Sequence, residues 1–120
     1  MKIEECYEKL GGNYAEVKLR LPNVALVERF LTKFLTDPSF ETLCAQMSDK
    51  NCNEAFRAAH TLKGICANLG FGKLFRCVSD LTEELRGAKE ISQNALTLLQ
   101  NVKNEYEKTC DAINAYFAEK

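Results

Sequence analysis

The chain has no tryptophan, two prolines, six glycines and a single histidine. So few helix breakers leave long stretches free to run as helix. The six cysteines include no pair at C-x-x-C spacing, which excludes the usual zinc ribbon and the thioredoxin-type redox site. Charge of one sign is also missing: 16 Lys and Arg stand against 17 Asp and Glu, leaving a net charge of −1. That balance gives no basic surplus to hold a nucleic-acid backbone and no acidic block to form a disordered tail. No apolar run approaches the roughly 20 residues that span a bilayer. The opening "MKIEECYEKL" is acidic and amphipathic where a signal peptide needs an unbroken apolar stretch, so the chain is expected to act in the cytoplasm and away from membranes. There is neither a Walker loop nor a kinase-type glycine loop, and hence no recognisable ATP site.

Of the 120 residues, 46% are hydrophobic, enough to build one core, and a single domain over residues 1–120 is expected. With that core available, disulfide staples are unnecessary. Cys6, Cys44, Cys52, Cys66, Cys77 and Cys110 read as free thiols standing in for small apolar side chains in a reducing compartment. Apolar residues recur at helical spacing from end to end, and no segment alternates as a half-buried strand does. The fold class is all-α.

Ile3, Cys6, Tyr7 and Leu10 mark a short amphipathic helix that Gly11 and Gly12 stop. Asn13 and Glu16 cap a second one, which Pro22 interrupts; these two are expected to lie as a lid across a bundle end. Val24, Val27, Phe30, Leu31, Phe34 and Leu35 line the next helix. Asp37 and Pro38 then open another, with Pro38 at its first position and Phe40, Leu43, Cys44 and Met47 as its stripe. Asn51 and Glu54 cap a helix running to about Leu69. The brief "GFG" then returns the chain antiparallel through Leu74, Cys77, Val78, Leu81 and Leu85 until Gly87. Ser92 caps the longest helix, with Ile91 and Leu96 as a hydrophobic staple and Leu99, Val102, Tyr106, Ile113 and Phe117 as its seam. The sum is an antiparallel four-helix bundle with short N-terminal helices.

The histidine is the informative residue. Ala55, Ala58, Leu62, Ile65 and Leu69 make a core-facing stripe, and His60 lies about 160° from Leu62 on that wheel. It faces outward, among Asn53, Phe56, Gly64 and Ala67, with Arg57 and Lys63 at i−3 and i+3. A glycine inside a helix is worse than alanine by roughly 1 kcal/mol, so Gly64 implies a demand other than helix stability. Removing a side chain one turn past the imidazole lets a second protein surface come down onto the ring. A metal site is disfavoured because His60 has no second histidine, and no Ser or Cys shares its face for triad chemistry.

Together, "AHTLKGICANLG" resembles the signature of histidine phosphotransfer domains of bacterial phosphorelays, A-H-x-L-K-G-x-x-x-x-L-G, through Ala59, His60, Leu62, Lys63, Gly64, Leu69 and Gly70. "FRAAHTLKG" is also similar to the phosphotransfer domain of chemotaxis histidine kinases. The resemblance implies that His60 accepts the phosphoryl group, that Lys63 neutralises its oxygens and that Gly64 clears room for a docking receiver domain. Asn53, Phe56, Arg57 and Ala67 would join that docking face, and Arg57, Lys63, Lys73 and Arg76 would form a mildly basic surround for an acidic receiver pocket. Many members place Gln or Glu on the following helix to orient the histidine; Thr82 stands there in this sequence, with Glu83 beside it as a substitute. The protein would carry no cofactor, magnesium belonging to the receiver, and would be a monomer without kinase activity. Its partners would be response-regulator receiver domains, with a hybrid histidine kinase as a further candidate. The competing reading is a non-catalytic helical interaction module that keeps the scaffold without carrying phosphate.

Overall fold

A computed structural model describes all 120 residues. The chain forms α1 (Ile3–Leu10), α2 (Tyr14–Arg20), α3 (Val24–Thr36), α4 (Ser39–Ser48), α5 (Cys52–Leu69), α6 (Gly72–Leu85) and α7 (Gln93–Ala118), with no strand. The side chains of Asn13, Asn23, Asn51 and Ser92 each accept the backbone amide three residues on, closing the N-termini of α2, α3, α5 and α7.

Asp37 and Pro38 joint the first arm of the bundle. Asp37 Oδ1 accepts the amide of Ser39 at 2.8 Å, and Pro38 has no amide to lose there. Pro38 sits in the cap position of α4, one residue before the helix starts rather than at its first residue. The jointed α3–α4 segment, α5, α6 and α7 are the four arms. α4 packs on α5, α5 on α6 and α6 on α7, each reversing direction after a short connection. α3 runs antiparallel to the distal part of α7: Tyr116 donates to Glu28 at 2.7 Å, and the Phe34 ring lies 5.4 Å from that of Tyr106. Phe40, just past the joint, stacks on Tyr106 with centroids 3.9 Å apart. The fold is therefore an all-α antiparallel four-helix bundle with short N-terminal helices.

All seven helices contribute to one apolar cluster. Two residues expected to pack are more open than the pattern suggests: Val24, expected in the α3 stripe, is 41% exposed at its first residue, and Leu96, expected to staple against Ile91, is 46% exposed in the first turn of α7. Ile65 sits half-buried at the edge of the covered arc of α5. All six cysteines are free; Cys6, Cys52 and Cys66 are buried and the other three half-buried. Burial pushes the Cys6 thiol up to about 11 and that of Cys66 to about 12, so both stay protonated and weakly nucleophilic.

The N-terminal helices hold the C-terminus of α5. That helix ends in a Schellman turn: Gly70 is left-handed, its amide donates to Ala67 O, and the Phe71 amide donates to Cys66 O. α1 ends the same way at Gly11, with the Gly12 amide on Tyr7 O. The two turns clasp each other, because Asn13 N donates to Gly70 O at 2.9 Å and Lys73 N donates to Gly11 O at 3.2 Å. The remaining α5 carbonyls are met by side chains. The Tyr7 hydroxyl donates to Leu69 O at 2.7 Å, and the Arg20 guanidinium spans Ala67 O and Asn68 O. An otherwise orphaned helix end is thereby satisfied.

A Cβ on Gly12 would stand 2.5 Å from the carbonyl oxygen of Gly70, with Tyr7 and Leu10 also inside contact distance. Gly12→Ala is expected to lower stability by about 1 to 3 kcal/mol, read by urea or thermal unfolding. The Tyr116 hydroxyl, followed by Lys120, holds the Glu28 carboxyl below its usual range. A depressed carboxylate stabilises the fold above its unfolded pKa and ceases to do so as pH falls through its folded pKa. The melting-temperature gap between wild type and Glu28→Gln should thus be open at pH 7 and close on acidification below about pH 4.

Candidate functional site

α5 is capped by Asn51 at one end and clasped at Gly70 at the other. Between them Ala55, Ala58, Ala59, Leu62, Cys66 and Leu69 are buried, and the small alanines let α4 and α6 approach closely. The opposite side carries Asn53, Arg57, His60, Gly64 and Ala67, all exposed, with Phe56 half-buried. At 1.5 Å per residue this stripe is about 21 Å long.

His60 lies mid-helix on that stripe, exposed, as its spacing predicts. The Phe56 ring stands 5.9 Å away, tilted by 44°. Lys63 is half-buried, and its ammonium rests 6.0 Å from the centre of the Phe75 ring of α6. Its flexible stem keeps that charge within swing of the imidazole. Arg57 is exposed and pairs with Glu54 at 3.4 Å. A Cβ on Gly64 would meet nothing within 4 Å, so no helix contact explains the glycine.

Two expectations about the surroundings need correction. Thr82 is buried, and its hydroxyl donates to Val78 O at 2.7 Å, one turn back on its own helix. Glu83 turns both carboxylate oxygens to Arg86, at 3.1 and 3.0 Å. Neither hydrogen-bonds His60. The basic surround also divides. Arg57 and Lys63 flank the histidine, whereas Lys73 and Arg76 belong to the first turns of α6, at the clasp. There the Lys73 stem covers Gly11, and Arg76 lines a cavity of about 410 Å³ with Gly12, Glu16 and Ala67. The cation that reaches this face of α5 from beyond the end of α6 is Arg86, whose guanidinium carbon lies 4.9 Å from the centre of the Phe56 ring. The antiparallel return of α6 brings its end beside the start of α5, a signal that the sequence carries only once the turn at Gly70 is used to set the register.

An exposed imidazole halfway along a bundle helix, with a cation at i+3 and a bare backbone at i+4, defines a class of histidine-presenting helical bundles. The Hpt domain family matches residues 25–114, well over half of the sequence, and the chain belongs to that family. Hpt domains are phosphocarriers of two-component systems that work with receiver domains and histidine kinases and lack kinase activity. Comparison with curated proteins and with solved structures finds no match. No helix is long and apolar enough to cross a membrane.

Because the space beside Gly64 is open, Gly64→Ala is expected to raise stability by up to about 1 kcal/mol in equilibrium unfolding, with unchanged helical content by circular dichroism.

Proposed function

We propose that the chain is a phosphorelay intermediate in which His60 accepts a phosphoryl group from a receiver-domain aspartate and returns it to another. The observation that carries this reading is an exposed imidazole on a doubly anchored helix, beside a glycine that no internal contact requires. The outward ring nitrogen attacks phosphorus, an N–P bond forms, and the P–O bond to the aspartyl carboxylate breaks. The imidazole proton is released to solvent, and the reverse transfer takes it back. Imidazole is itself the nucleophile, and little else is asked of this chain than position and charge compensation.

Lys63 swings from Phe75 to the phosphoryl oxygens and partly neutralises them. A charge-assisted contact of this kind is worth about 1 to 2 kcal/mol, less where water screens it. Asn53, Phe56, Arg57, Gly64 and Ala67 form the surface on which the receiver lands, and the vacancy at Gly64 lets its active-site rim reach the ring. Magnesium is brought by the receiver, and the chain itself neither binds ATP nor phosphorylates itself. It works as a monomer in the cytoplasm, as a single domain.

Incubation with phosphorylated receiver domains should place an acid-labile, alkali-stable phosphate on the protein. His60→Gln should abolish that label while the fold is retained. Gly64→Gln should slow receiver-dependent transfer by about tenfold or more, yet leave labelling by phosphoramidate unchanged. Absence of label with every receiver and with phosphoramidate would leave the non-catalytic interaction module as the better reading.

A further inference from the structure

If His60 carries the phosphoryl group, something must hold its ring, and the two residues best placed in sequence do not. Thr82 bonds its own helix and Glu83 bonds Arg86. What meets the imidazole is Phe56, one turn earlier. Side chains on a helix lean toward its N-terminus, so an imidazole at position 60 tilts over position 56 in either common χ1 well. Phe56 is covered in turn by the guanidinium of Arg86. Arg86 is the first residue past α6, where the backbone turns extended and lets the side chain fold back toward α5. Its guanidinium is fixed by two bonds to the two oxygens of Glu83, the planar fork geometry that restricts arginine most. The two bonds from Arg86 hold the Glu83 carboxyl below its ordinary range, as a charge-assisted pair does.

We propose that Glu83, Arg86 and Phe56 form a positioning stack that keeps the His60 ring in its phosphoryl-accepting orientation, in place of a direct hydrogen bond to its inner nitrogen. The inference rests on the phosphocarrier reading. Each member acts through the next: the carboxylate fixes the guanidinium, the guanidinium fixes the phenyl ring, and the phenyl ring limits the swing of the imidazole. Arg86 also compensates the Glu83 charge, which would otherwise repel an arriving phosphoryl group.

The test uses the full chain, whose single histidine gives one set of imidazole signals in a 1H–13C spectrum. Phe56→Leu should remove the ring-current shift from those signals. Arg86→Ala and Glu83→Gln should move them part of the way, and Arg86→Lys, which keeps a cation but loses the planar fork to Glu83, should fall between Arg86→Ala and the wild type. Labelling by phosphoramidate should slow about fivefold in Arg86→Ala. With a phosphorylated receiver as donor, the maximal transfer rate should fall by the same factor at an unchanged half-saturating concentration. Wild-type imidazole signals in Arg86→Ala would overturn the stack, as would a loss confined to half-saturation, which would make Arg86 a receiver contact instead. Failure of the wild type to take label would overturn the phosphocarrier reading and the stack's role in it, while the imidazole signals would separately report whether the three residues hold the ring.

Discussion

Two glycine-ended helix turns, each donating a backbone amide to a carbonyl of the other, form the joint on which this structure depends. Gly11–Gly12 and Gly70–Phe71 lie far apart in sequence, and their mutual bonds tie the start of the chain to the middle. A side chain at Gly12 would press on the Gly70 carbonyl and force the joint to shift, and the left-handed backbone at Gly70 favours glycine. By filling the carbonyls at the end of α5, it turns what would be a fraying terminus into a fixed one. α1 and α2, which lie ahead of the residues matched by the family, are the parts that do this.

From that fixed end, helix geometry dictates the rest of the face. One side of α5 is committed to the core by alanine, leucine and cysteine, and the stripe left over contains the histidine, the lysine flank and the vacancy at Gly64. The surrounding charges are sorted by the antiparallel path of α6. Its first turns carry Lys73 and Arg76 to the clasp, and its end carries Arg86 to Phe56.

Much of this was legible beforehand, because it is local. Asn13, Asn51 and Ser92 announced helix starts through side-chain geometry spanning three residues, and Gly11 and Gly70 announced stops. The outward direction of His60 followed from periodicity alone. Pro38 was displaced by one residue because Asp37 captures the amide of Ser39, putting the proline in the cap. What escaped was non-local. Nothing near Arg20 says that it will bond the carbonyls of Ala67 and Asn68, and nothing near Gly12 says that Gly70 will press against it. The hydroxyl of Thr82 bonds its own helix because a buried threonine in a helix satisfies it on the preceding turn, whatever residue type the family places there. Arg86 stands after the last apolar residue of α6, so its contact with Phe56 follows from the antiparallel path of the helix and from no local apolar period.

The vacancy beside the histidine also bears on tempo. Nothing covers the ring, so no flap or hinge must swing aside before a visitor arrives, and none must close before it leaves. For a carrier built this way, the delay added at each handover depends on how often molecules collide and how long they adhere. Abundance and residence time, rather than any moving part of the chain, then set the pace of each encounter.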